Sequence, residues 1–293
     1  MKLLTLALAT ILAVAFPYSD PLKPHRTADG FRNNYPHAEK QGFWRWKWDQ
    51  LRDGLPPNPE GGYRFETANP ELAANPSVTW VGHATVLLRV GGLSVHDHLD
   101  QDSVGRLAEQ AGGSPRFFVP LGLKDWFARR GIHDVVELDW WERRDFKGLD
   151  VHFVPVQHWS ARTLTDENQT LWGGWVIRHP ELSFFFAGDA GYSRDFTDIG
   201  AKFGGFDLAA IPIGAYAPRW FMQIMHMDPA EAVRVHKDVK ARRSVAIHWG
   251  TFANLTDESL YEPPLRLAGA KKEAGLSDDD FFVLKHGETR VLR

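Results

Sequence analysis

The sequence predicts an α/β fold with a candidate metal site along one edge of its strands. Three observations predict it. Strand-like apolar runs alternate with helix-like stretches through most of the chain, several runs lead into histidine or aspartate, and no repeat or low-complexity tract interrupts them. With 293 residues, 43% hydrophobic and 24% charged, the chain can bury one large core or two small ones. A formal net charge of −3 offers no basic excess for nucleic acid. The lack of cysteine excludes disulfides and thiolate metal ligands.

Taken in order, residues 1–15 carry one lysine, an apolar run and the exit Ala13-Val14-Ala15. That is the form of a signal peptide with a mature end near Phe16, or else of an uncleaved membrane anchor. Residues 16–76 are rich in proline, glycine, asparagine and charge, and read as a loop-dominated lead-in packed on the body. Within it, "GFWRWKWDQL" sets Trp44, Trp46 and Trp48 around Arg45 and Lys47. These residues suit either an interfacial patch or a half-buried segment with snorkelling cations.

The main domain is expected over 77–293. "SVTWVGHATVLLRVGG" reads as two strands broken at Gly82-His83 and closed by a Gly-Gly turn. "SVGRLAEQAGG" and "LKDWFARRG" read as helices, the second ending at Gly131, with "RFFVPLG" as a strand between them. "DVVELDWWE", "TLWGGWVIRHP" and "FDLAAIPIGAY" read as further strands. Asp228 and Pro229 open a helix in "DPAEAVRVHKDV".

Three strands end on candidate ligands: "VHFVPVQHW" at His158, "LSFFFAGDAGY" at Asp189 and "SVAIHWG" at His248. A fourth short run, "LSV", precedes His96, Asp97 and His98. A lone histidine after a strand is ordinarily a hydrogen-bonded structural residue. Four such positions at one sheet edge instead suit zinc or a related divalent ion.

Several blocks carry a resemblance: "VTWVGHATVLL", "DHLDQDSV", "FFVPLGLKDWF", "LWGGWV", "FFFAGDAGY", "GAYAPRWFM", "HMDPAEAVRVH" and "AIHWGTF". The chain resembles the N-acylphosphatidylethanolamine-hydrolysing phospholipase D family of the metallo-β-lactamase superfamily. The resemblance implies an αββα sandwich with a two-zinc centre at one edge. It implies His158 and His248 as zinc ligands, and Asp189 as the carboxylate that bridges both ions.

In the family signature His-x-His-x-Asp-His, Asp97 and His98 align as the last two ligands. Leu93 and Val95 then stand where the first two histidines belong, and a loop and a strand after residue 92 are missing. A second register, His96-x-His98-x-Asp100, restores the spacing but puts Gln101 in the last histidine position. Either register leaves the centre short, so one or fewer tightly bound zinc ions are expected in place of two. His83 reads as a residue that orders the loop around the ligands. His226 reads either as a contact to phosphate or leaving group or as a helix-entry residue.

The implied activity is zinc-dependent phospholipase D hydrolysis of N-acylated phosphatidylethanolamine, with Asp97, Asp189 and His226 at the chemistry. Its turnover is expected to be impaired. A non-catalytic lipid- or partner-binding descendant and another hydrolase of the same fold stay open. The implied partner is a phospholipid or membrane surface, not nucleic acid; a homo-oligomer stays open. The leader places the protein outside the cytoplasm or on a membrane.

Overall fold

The structure, a computed structural model, describes residues 22–40, 42–69, 76–90, 93–96, 98–110, 113 and 115–292. The leader and its expected cleavage point lie outside the described residues.

In the lead-in, β1 (Arg26–Thr27) and β2 (Gly30–Phe31) form a small hairpin, followed by helix α1 (Phe43–Asp53). The helix is the one regular element longer than two residues among the described residues of this otherwise loop-dominated stretch. It sorts the tryptophans by turn: Trp46 is 5% exposed, whereas Trp44 and Trp48 are 81% and 64% exposed. Trp46 stacks on Phe221 at 4.9 Å, and its indole N–H donates to Asp257. Gln50, one turn on, donates to the same carboxylate, so a single face holds the helix to the body.

The small sheet is built from β3 (Ser77–Gly82), β4 (Thr85–Arg89) and β5 (Leu93–His96). The chain then passes through α2 (Gln101–Ala108), β6 (Phe117–Pro120), α3 (Lys124–Ala128) and β7 (Val135–Leu138). β6 and β7 pair in parallel and share a separate small core with α2 and α3 around Trp126 and Phe127.

The large sheet collects β8 (Arg143–Phe146), β9 (Leu149–Val154), β10 (Gly174–His179) and β11 (Leu182–Phe186). Beyond α4 (Asp195–Phe203) it adds β12 (Leu208–Pro212). After α5 (Arg219–Met222) and α6 (Pro229–Asp238) comes β13 (Ser244–Ile247). Then α7 (Glu262–Ala274), β14 (Phe281–Phe282) and β15 (Thr289–Val291) end the chain.

The large sheet runs in the order β14-β13-β12-β11-β10-β9-β8, and β15 returns to the small sheet as β15-β3-β4-β5. β11 to β14 are parallel, and β8 to β11 are antiparallel. One continuous core joins Trp80, Val86 and Leu88 of the small sheet to Phe153, Phe184 and Phe186 of the large one. Helices α4 and α6 bury Phe196 and Val235 into that core, and α7 buries Leu267. Fully burying one such ring or branched chain contributes on the order of 1.5–3 kcal/mol. The result is an α/β fold with helices packed on a mixed sheet, as the sequence predicts.

Two strand ends differ from expectation. β9 stops at Val154 because Pro155 has no N–H to continue the ladder, so His158 lies in the following loop. β11 stops at Phe186, and Gly188 takes φ 67° before Asp189, a left-handed turn natural for glycine. Only His248 follows its strand directly. Among the described residues, no helix is long and apolar enough to cross a membrane.

Candidate metal centre

Asp189 stands at the focus of the loops beyond the carboxyl ends of the large sheet, 4% exposed. Four histidines surround it. His226 Nδ1 lies 2.7 Å from Oδ1. Oδ2 lies 3.1 Å from His248 Nε2 and 3.6 Å from both His158 Nε2 and His98 Nε2. Each arrives from a different element. His98 precedes α2, His158 follows β9, His226 precedes the capping box of α6, and His248 follows β13. Gly214 makes room for the last: a Cβ there would sit 2.3 Å from the carbonyl oxygen of His248.

The protonation pattern calls for a cation. His158 Nδ1 is 2.9 Å from the backbone oxygen of Met225, which can only accept, so Nδ1 carries the proton. Its Nε2 therefore turns a bare lone pair towards the Asp189 carboxylate. Burial lowers the His158 pKa to about 4, partly opposed by Asp189, so the ring is neutral at ordinary pH. Burial alone would raise the Asp189 carboxyl. The neighbouring His226, which also donates a hydrogen bond to it, and His248 instead hold it well below the usual carboxylate range.

A carboxylate facing the lone pair of a neutral imidazole is repulsive unless a positive centre lies between them. His248 adds to the case, because both its ring nitrogens are buried without a hydrogen-bond partner. Neutral imidazoles around an ionised carboxylate are a donor set that fits zinc or a similar ion. The hydrogen bond from His158 to a backbone carbonyl is the usual way to orient such a ligand.

Among the described residues, two groups have donor atoms within 4.8 Å of one another: Asp189, His226 and His248, and His83, His98 and His248. The first includes His226, expected at the chemistry from the sequence. The second includes His83, expected only to order the loop. The signal for His83 was its place at Gly82-His83, where two strands break. There its φ is 43°, an uncommon conformation for a residue with a side chain.

The structure thus brings together His98, His158, Asp189, His226 and His248. Asp97 and the side chain of His96 lie outside the described residues. Val95 pairs with Val86 across β4 and β5 and is buried in the core, and Leu93 pairs with Leu88. In the second register, Asp100 and Gln101 are engaged at the start of a helix. Asp100 is the N-cap of α2, accepting from the Ser103 N–H at 2.7 Å, while Gln101 accepts from Arg130.

Comparisons with known proteins agree with this architecture. The family profile described as "Beta-lactamase superfamily domain" matches residues 91–249, more than half of the chain. N-acyl-phosphatidylethanolamine-hydrolyzing phospholipase D 1 of Caenorhabditis elegans is 43% identical over 206 residues, which is 66% of this chain and 57% of that protein. The mitochondrial N-acyl-phosphatidylethanolamine-hydrolyzing phospholipase D of Saccharomyces cerevisiae is 36% identical over 189 residues, 62% of this chain and 40% of that protein. The chain therefore spans about half the length of these relatives. Igni18, a metallo hydrolase of the archaeon Ignicoccus hospitalis, shares the fold with TM-score 0.57 at 18% identity, covering 73% of this chain and 97% of that one.

Proposed function

This chain belongs to the β-lactamase superfamily, and from that premise we propose that it is a zinc-dependent phosphodiesterase of the phospholipase D type. Its proposed substrate is N-acylated phosphatidylethanolamine, cleaved to an N-acylethanolamine and phosphatidic acid. The observation that carries the proposal is the buried Asp189 ringed by His98, His158, His226 and His248. The 43% and 36% identities to the two phospholipases support the substrate class.

His98, His158, Asp189 and His248 would hold the metal, which when bound would acidify water and neutralise charge developing on the phosphoryl oxygens. Asp189 accepts from Nδ1 of His226 and so fixes the ring, leaving Nε2 to take up a proton or pass one to the departing ethanolamine oxygen. Burial of Asp189 and His248 keeps bulk water from screening these charges.

A lipid substrate is further supported by α1. Trp44, Trp48 and Leu51 lie one turn apart along an exposed stripe, with Arg45 and Lys47 beside it. Trp46 on the opposite face packs in a cluster with Phe221, Met222 and Met225, and Met225 also bonds His158. An interfacial helix is thereby linked to the centre through a few side chains. The protein is proposed to work at a membrane surface, outside the cytoplasm or attached to a membrane.

The chain has no histidine at positions 93 and 95, and we expect fewer than two tight zinc ions and a turnover below that of a complete centre. The test is hydrolysis of N-acylated phosphatidylethanolamine in mixed micelles by zinc-loaded protein. Release of N-acylethanolamine that disappears in Asp189→Asn supports the proposal. Cleavage of a lactone or a simple phosphodiester, with none of the phospholipid, overturns the substrate.

A further inference from the structure

We infer that His83, from the turn between β3 and β4, is a metal ligand that completes a three-imidazole site with His98 and His248. The inference rests on the reading of the Asp189 cluster as a metal centre. It assigns to His83 a direct bond to the ion, in place of a histidine that the sequence lacks at 93 or 95.

The turn is built to present this side chain. The backbone N–H of His248 donates to the His83 carbonyl at 2.8 Å, and the indole of Trp80 donates to the same oxygen at 2.9 Å. The His83 N–H donates to Thr251 Oγ1 at 3.0 Å. The β3–β4 turn is thereby fastened to the loop that carries His248. Both histidines hold positive φ, 43° and 60°, although neither is glycine. Such conformations cost of order 1–3 kcal/mol each and gather at binding sites.

The rings are grouped closely enough. The His83 centroid lies 4.1 Å from that of His248 and 5.0 Å from that of His98. The donor atoms are within 4.8 Å of one another. Zinc–nitrogen bonds of about 2.0–2.1 Å place tetrahedral neighbours about 3.4 Å apart, so only a small closure is needed. His98, whose side chain is 55% exposed, has room to provide it.

Asp189 Oδ2, near both His98 and His248, supplies a fourth donor. Three imidazoles are the number of protein ligands usual for a catalytic zinc, and Asp189 stands beside them. His248 is common to both donor groups, and a neutral imidazole has one lone pair to give. One ion is therefore held tightly, at the His83 site. His158 and the remaining oxygen of Asp189 are left for a weaker second.

The experiment reads metal, not turnover. Wild type, His83→Ala and His83→Cys are loaded with zinc or cobalt, dialysed against a competing chelator and analysed for metal. Circular dichroism of the metal-stripped proteins checks that each variant folds. About one ion per chain is expected in wild type, with affinity falling roughly 100-fold or more in His83→Ala, above the loss for an outer-shell partner.

The chain has no cysteine of its own, so cobalt bound to His83→Cys should add a thiolate-to-cobalt charge-transfer band that wild type cannot show. Full metal affinity in His83→Ala, or no such band in a folded, cobalt-loaded His83→Cys, overturns the assignment of His83 alone. Failure of wild type to retain any metal overturns the metal-centre reading as well.

Discussion

Asp139 and Asp189 are both buried carboxylates beside histidine, 1% and 4% exposed, and their surroundings differ in how far they are satisfied. Asp139 accepts from Lys23 at 2.9 Å, His25 at 2.7 Å, Arg26 and the backbone N–H of Trp140 at 2.7 Å. Every donor that points at it makes a hydrogen bond. Burial would raise its pKa, but the bonds from His25, Lys23 and Arg26 hold it well below the usual range. Asp189 has four imidazoles around it, of which His226 makes a hydrogen bond. The nitrogens of His248 and His158 approach Oδ2 at 3.1 and 3.6 Å without one. A closed polar network fastens the lead-in to the body, whereas an open one is arranged around something else.

The largest contrast should come from the conservative change at each carboxylate. Asp189→Asn keeps the shape and removes the charge that a cation needs. Metal affinity should fall more than 100-fold, beyond the roughly 10–100-fold cost of losing an outer partner. Asp139→Asn should leave metal content unchanged, as measured by elemental analysis after dialysis. Metal loss in Asp139→Asn, or none in Asp189→Asn, would break the contrast.

A smaller effect separates the two in stability. Asp139→Ala leaves His25 buried without its partner, while Lys23 and Arg26, with side chains 27% and 41% exposed, can turn to water. The cost should be about 2 kcal/mol, below the roughly 3–5 kcal/mol of breaking a fully buried pair. The thermal midpoint should drop by roughly 4–8 °C, with faster proteolysis near residues 22–40. Unchanged proteolysis in that segment would show that other contacts hold the lead-in.

The two regions were not equally legible in the sequence. His158, Asp189 and His248 stood out because each follows an apolar run, and a resemblance named them. The Asp139 network gave no signal, because Lys23, His25 and Arg26 sit in a stretch with no periodicity and meet their partner more than a hundred residues on. Helix α1 gives little signal either: proline and glycine on either side argue for loop, and Trp46, Gln50 and Asp257 decide it through tertiary contacts. In the sequence His83 reads only as a support, since strain and ring proximity appear only in three dimensions. The capping role of Asp100 in the competing register is a local signal, a carboxylate three residues before Ser103 at the start of a helix.

The smallest effect concerns pH, and it separates the two regions by window. In metal-stripped protein, folding lowers the pKa of His158 from 6.5 to about 4 and that of His83 from 6.5 to about 3, in both mainly by burial. Below pH 6.5 the unfolded chain takes up protons that the folded rings refuse, so stability falls as pH falls. The loss continues for His158 until about pH 4 and for His83 until about pH 3. Asp139 acts in the opposite sense of charge and at lower pH. Its folded pKa lies below the ordinary 3.8, so its contribution is complete above that value and lost only beneath it. Between pH 6.5 and 5.5, His158 should account for about 1 kcal/mol of lost stability. His158→Ala should flatten the fall of the thermal midpoint over that interval, measured in chelator, while Asp139→Asn should change the slope only below about pH 4. A wild-type midpoint that stays level from pH 6.5 to 5.5 would mean that these rings accept protons within the folded centre, and that the open network around Asp189 is not held neutral by burial.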